Sequence, residues 1–164
     1  MASAARPAIE ITPATEADLD AIRTLLGQTD QLHADLVPDY FRKPSSKTRP
    51  REALKRVLET ANERFLIARA GGVALGVAHV QLYDTPPLLL LVPRRRAHLD
   101  ALVVDKAARR RGVGRRLVEA AATWAREHDA YEILLTVWAG NDTADRFYAK
   151  LGFRVVSRVL GRAL

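Results

Sequence analysis

Val103-Val104-Asp105-Lys106-Ala107-Ala108-Arg109-Arg110-Arg111-Gly112-Val113-Gly114 is the stretch on which the fold turns. An apolar strand ends at Val104, and a short basic loop leads into two glycines. Val113, Leu117, Ala121 and Trp124 then predict an amphipathic helix from about Gly112 to His128. A helix start carries backbone N–H groups without intrahelical partners and a partial positive charge. Glycines there let an anion reach the main chain, and Arg109 to Arg111 add charge around it. The pattern fits a cradle for a pyrophosphate-bearing cofactor; taken alone, two glycines that simply make a turn and an arginine run that forms a solvated face are the competing readings. A dinucleotide-binding loop does not fit, because the third small position is Leu117. Glu132 has about the right spacing for that loop's acidic residue but precedes Ile133-Leu134-Leu135 instead of following it. Neither a P-loop nor a serine-hydrolase or zinc-protease signature occurs.

Outward from this stretch the elements follow from periodicity and punctuation. Toward the N-terminus, Ile9–Thr12 reads as a strand. Thr15 followed by Asp18 signals a helix start, with Leu19, Ile22, Leu25 and Leu26 on one face and Gly27 as its end. Residues 28–49 read as a loop or broken helix. Pro50 opens a second helix with Leu54, Val57 and Leu58 as its stripe. Arg64–Ala70 and Val73–Tyr83 form a hairpin about Gly71-Gly72, and His98–Val104 is the next strand. Toward the C-terminus come a strand over Tyr131–Trp138, a helix capped by Asn141 and ended by Gly152, and a closing strand from Phe153 to about Leu160. The order β-α-α-β-β-β-α-β-α-β predicts an α/β fold, a mixed sheet with helices on its faces.

The 164 residues fit one domain spanning the chain, with Met1 to Pro7 as a flexible arm, and 48% apolar content supplies a core. There is no cysteine, which excludes disulfides, thiolate metal sites and a cysteine nucleophile. The four histidines show no metal-ligand spacing, so no metal is expected. The longest apolar run, Leu88 to Val92, is too short to span a membrane, and Met1 to Pro7 has no secretory pattern, so a cytoplasmic protein is expected. A net charge of +7 invites a polyanion, but arginine exceeds lysine 21 to 5 in an alanine-rich chain, as compositional bias would produce. No recognition-helix pattern or aromatic-basic interleaving points to nucleic acid.

Arg109-Arg110-Arg111-Gly112-Val113-Gly114 resembles the cofactor motif Arg/Gln-x-x-Gly-x-Gly/Ala of the GNAT superfamily of N-acetyltransferases. A second block, Asn141 to Phe153, is similar to that family's Asn-x-x-Ala-x-x-Phe-Tyr ending in Leu-Gly-Phe. The resemblance implies a mostly antiparallel sheet with helices on both faces and splayed central strands. It implies acetyl-CoA as co-substrate and direct transfer to a primary amine of a small molecule or peptide. Leu102, Val103 and Val104 would pair with the pantetheine arm, Asn141 would bond to it, and Arg109, Arg110, Arg111, Gly112, Val113, Gly114 and Arg115 would hold the pyrophosphate. Tyr148 would act as general acid to the sulfur. Homodimers are frequent in this family, though no feature here requires one. A non-catalytic acyl-CoA sensor on the same fold is the alternative.

The amine must lose a proton before attack. Asp100 and His98, two apart on one strand, share a face and are the candidate bases; Asp100 is alternatively a recognition group for a cationic amine. A backbone N–H around Val103 would stabilise the oxyanion. His79 reads as structural. Acceptor specificity is expected from Leu32 to Lys47, where Tyr40 and Phe41 either cover the acceptor or pack the loop.

Overall fold

A computed structural model describes residues 7–163, so all of the predicted N-terminal arm except Pro7 lies outside the described residues. Five strands form one sheet in the order β1-β2-β3-β4-β5. β1 (Glu10–Pro13), β2 (Glu63–Ala70), β3 (Val73–Asp84) and β4 (Arg95–Val104) pair antiparallel, and β5 (Ile133–Leu134) joins β4 in parallel. Because β2 and β3 are covered on both faces, they read as nearly continuous apolar runs. On one face, Phe65, Ile67, Val77 and Val103 pack against α1 (Leu19–Leu36) and α2 (Arg51–Glu59). On the other, Leu66, Ala78, Val80 and Leu99 pack against α3 (Val113–Glu127), with Phe147 and Tyr148 of α4 (Asp142–Lys150) at the margin.

Two details of the sheet bear on the site. A Cβ on Gly76 would stand 2.6 Å from the Val103 carbonyl oxygen, so only glycine lets β3 approach β4 this closely. Further along, Leu99 pairs with Val80 and Ala101 with His79, which leaves Asp100 as the extra residue of a β-bulge.

The start signal of the first helix operates as expected: the Asp18 carboxylate accepts from the Thr15 backbone N–H at 2.8 Å and also pairs with Arg69. Gly27 does not end that helix, which continues to Leu36. Mid-helix glycine costs about 1 kcal/mol. Burial of Ala34, the Gln28 amide bond to Asp105 (2.9 Å) and the bidentate Arg49–Asp30 pair offset it.

The C-terminal expectations fail together. β5 keeps two residues of the expected Tyr131–Trp138, and the expected strand from Phe153 to Leu160 is absent. Among the described residues, the only main-chain hydrogen bond of this tail runs from the Phe153 N–H to the Tyr148 carbonyl (3.1 Å). A strand exists only through its ladder: the first segment finds one on β4 for two residues, and the tail finds none among the described residues.

Candidate active site

β4 and β5 part company early. Their pairing covers Ala97↔Ile133 and His98↔Leu134, while β4 runs on to Val104. From Leu99 onward the outer edge of β4 therefore faces a gap, with Leu102 and Val104 half-buried and Val103 buried. This is the splay that the sequence resemblance implied.

At the mouth of the gap lies the basic loop. Gly112 precedes α3 with φ +79°, a left-handed conformation suited to glycine, and Arg110 is left-handed too at +61°. Among the described residues no side chain caps α3, so its first-turn amides lack side-chain partners. Arg109, Arg110, Arg111 and Arg115 are exposed, and none is ion-paired among the described residues. Asp105 braces the loop by accepting from the Ala107 N–H (2.9 Å) and from Gln28; the Gln28 bond, with the backbone bond, holds its carboxyl below the usual range. A Cβ on Gly114 would sit 3.2 Å from the Phe147 ring, so glycine here lets α4 approach the start of α3.

A groove of about 420 Å³ runs between α1 and this loop, walled by Gln28, Gln31 and Leu32 opposite Lys106 and Arg109. Gly27 lines it as well, which gives the mid-helix glycine a local reason. Gln28 Oε1 is buried there without a hydrogen-bond partner among the described residues. Arg109 Nε donates to the Val104 carbonyl at 3.3 Å, tying the loop to the end of β4. The uncapped amides, exposed cations, open strand edge and orphaned acceptor together fit a ligand with an anionic head and an amide-bearing arm.

On the α1/α2 side of β4 the candidate bases belong to a larger cluster. His79 is buried on β3, with Nδ1 3.2 Å from Asp100 Oδ2 and Nε2 2.9 Å from Glu63 Oε2. His98 Nδ1 lies 3.8 Å from Asp100 Oδ1, buried and without a hydrogen-bond partner among the described residues. The hydrogen bond to His79 is the main reason that the Asp100 carboxyl lies below its usual range. Burial opposes this, and the charges of His79, His98 and Arg49 reinforce it. The sequence alone reads His79 as structural and does not single out Glu63. The signal missed was register: Phe65, His79 and Ala101 face one another across three strands.

Tyr148 sits on the opposite face, with its ring 5.0 Å from Phe147 and 5.4 Å from Phe153. Burial pushes its hydroxyl up to about 12. No hydrogen bond joins it to Asp100 or His98, so the proposed acid and bases are brought to two faces of one gap, not into contact. The Asn141 side-chain oxygen caps α4 by accepting from the Ala144 N–H (3.1 Å), leaving its amide nitrogen free. The α1–α2 connection lies across the C-terminal side of β5: Trp138 packs on Tyr40 (5.4 Å) and Phe41 (4.8 Å), and His33 on Phe41 (5.0 Å). Both aromatic residues of that connection thus pack the loop, Tyr40 with most of its surface exposed.

Comparison with known proteins agrees with this geometry. Residues 29–153 match the model of the acetyltransferase (GNAT) family. The chain belongs to this family. It is 32% identical over 108 residues to the N-alpha-acetyltransferase RimI of Mycobacterium tuberculosis, a match that covers 65% of this chain and 62% of that protein. The chain thus spans less than two thirds of the length of this curated relative. Among solved structures, a tetramutant of the BH1408 protein from Bacillus halodurans superposes with a TM-score of 0.89 at 25% identity, covering 94% of this chain and 99% of that one. The aminoglycoside N-acetyltransferase AAC(6')-Iy in complex with CoA shares the fold, with a TM-score of 0.71 at 21% identity over 94% of this chain and 98% of that one. Among the described residues no helix is long and apolar enough to cross a membrane.

Proposed function

We propose that this chain is an acetyl-CoA-dependent N-acetyltransferase acting on a primary amine of a small molecule or peptide, with both substrates bound together in one domain. The observation that carries this reading is the parting of β4 from β5 beside an uncapped helix start ringed by unpaired arginines. Bound acetyl-CoA supplies an acetyl group activated as a thioester. The amides of Val113, Gly114 and Arg115, freed by the turn at Gly112, hold its diphosphate with the guanidiniums of Arg109, Arg110, Arg111 and Arg115. The open edge, where Leu102 and Val104 turn their main-chain groups away from β3, pairs with the amide-bearing arm, aided by the amide nitrogen of Asn141; Val103 turns its carbonyl toward Gly76 of β3.

Asp100, kept ionised at neutral pH, attracts the ammonium form of the acceptor. A carboxylate held below its ordinary range is a poorer proton acceptor than a free one, so the amine proton is received by the hydrogen-bonded cluster of His98, Asp100, His79 and Glu63. Tyr148 keeps its proton across the neutral range. Full transfer from it to a thiolate is uphill by roughly 5 kcal/mol, so its hydroxyl donates a hydrogen bond to the leaving sulfur instead of ionising.

The reading is tested by thermal shift with acetyl-CoA and by CoA release over an amine panel. That panel begins with peptide N-termini and aminoglycosides, the acceptors suggested by the names of the relatives. Stabilisation at micromolar acetyl-CoA and CoA release with at least one amine are expected. No stabilisation at millimolar acetyl-CoA overturns the reading.

A further inference from the structure

We propose that Arg49 is a specificity-determining residue: it reads a carbonyl or carboxylate oxygen on the carbon next to the acceptor's amine, while Asp100 holds the amine itself. The inference rests on the acetyltransferase reading and narrows its acceptor to an α-amine, that of a peptide N-terminus or a free amino acid. Arg49 lies just beyond Lys47, outside the stretch from which specificity is expected on sequence.

The backbone sets this residue apart. Arg49 stands at φ +56°, a left-handed conformation that residues other than glycine rarely adopt. It also precedes Pro50, and a residue before proline favours extended backbone. Strain of this kind persists only where the surroundings impose it. Here both flanks are anchored. Arg23 donates to the Ser46 carbonyl at 2.6 Å, the Ser45 N–H donates to the Thr48 hydroxyl at 2.9 Å, and Arg51 pairs with Asp20 at 3.0 Å. The connection between α1 and α2 thus delivers one arginine to a fixed place.

The fork of the side chain decides what it can bind. Asp30 of α1 accepts from Nε at 3.1 Å and from Nη2 at 2.9 Å, which fills one edge of the guanidinium plane. The Nη1 group on the opposite side has no partner among the described residues, and the side chain is half-buried. The charges of Arg49 and Asp100 act on each other, yet among the described residues neither an ion pair nor a hydrogen bond joins them. Asp30 tethers the one, and His79, at 3.2 Å, tethers the other. The space between takes a molecule of the reverse polarity, an ammonium toward Asp100 and an oxygen toward Nη1. Asp30 offsets the guanidinium charge at longer range, so the ammonium is not driven off, while a donor remains available at contact. His33 adds no competing charge at neutral pH: burial holds its ring below the usual range, Asp30 opposing and Arg49 reinforcing. An amine without the neighbouring oxygen leaves Nη1 unpaired, and a polyamine sets a second cation against it.

The experiment follows CoA release with alanylalanine, alanine and isopropylamine, the last a branched amine with no acyl oxygen. The three differ in intrinsic reactivity, so each is compared between the natural chain and Arg49→Met, where that difference cancels. For alanylalanine or alanine, kcat/KM should fall about 10-fold more than for isopropylamine, chiefly through KM. The acceptor that loses more tells a peptide end from a free amino acid. Arg49→Lys retains a cation for Asp30 but has no second edge, so it should show the same loss of selectivity even where Arg49→Met unsettles the loop. Acetyl-CoA should raise the melting temperature of all three proteins alike, because neither substitution touches the cofactor cradle. Equal losses for all three amines make Arg49 a clamp on α1 alone and overturn the proposal. Turnover of isopropylamine or spermidine without alanine or alanylalanine overturns it too, and leaves the acetyltransferase reading standing. No CoA release with any amine overturns both.

Discussion

At the scale of single residues, the proposed acid and bases stand on opposite faces of the sheet. Tyr148→Phe removes only the hydroxyl, so turnover should fall by roughly 10²-fold, with acetyl-CoA affinity little changed. Equal losses in turnover and affinity, or no loss at all, would show that the ring serves packing. Asp100 is tested through its neighbour. The His79 hydrogen bond is the largest influence lowering the Asp100 carboxyl, so His79→Leu, which leaves no donor there, should let it rise against the remaining pull of His98 and Arg49. The acid limb of the kcat/KM profile should then move to higher pH. A limb that stays put separates Asp100 from the amine. His98 and Asp100 were legible as a pair because alternation on a strand is local. Glu63 and His79 were not, because they meet Asp100 only through a register spanning β2, β3 and β4.

At the scale of elements, three glycines give three different outcomes. Gly27→Ala meets nothing within 4 Å in the middle of α1, so it should stabilise the chain by about 0.5–1 kcal/mol, read as a higher melting temperature. Gly112→Ala forces an L-residue to φ +79° at the head of α3, costing about 1–2 kcal/mol and weakening acetyl-CoA binding in a titration. At Gly76 even a methyl group meets the Val103 carbonyl at 2.6 Å, so Gly76→Ala should push β3 from β4 and destabilise by more than about 2 kcal/mol in denaturant unfolding. Sequence reading recognised the glycine at the head of α3 because helix, loop and motif all lie within a dozen residues. It ended α1 at Gly27 because a glycine looks the same as a stop or as a groove-lining residue. Gln28, Asp30 and Ala34 decide between the two through partners or burial far along the chain.

At the scale of the whole molecule, acid stability follows from two carboxylates. For Asp18 burial favours the neutral form, but hydrogen bonds from Arg69 and from the backbone and hydroxyl of Thr15 outweigh it and hold the group low. Asp100 is held low mainly by His79. Groups depressed on folding stabilise fully above the ordinary carboxylate value near 3.9 and lose that contribution as pH falls through their lower folded values. The melting temperature should therefore hold down to about pH 4 and drop below it, and Asp18→Asn should flatten the drop. The α/β class, the uncapped glycine start of α3 and the alternating faces of the strands were written in the sequence, because each depends on neighbours within a turn or two. Where β4 leaves β5, which charges surround Asp100 and why the tail finds no ladder were decided by tertiary structure alone. Pairing on a sheet edge is a contest between distant segments, and no local pattern records which of them is left without a partner.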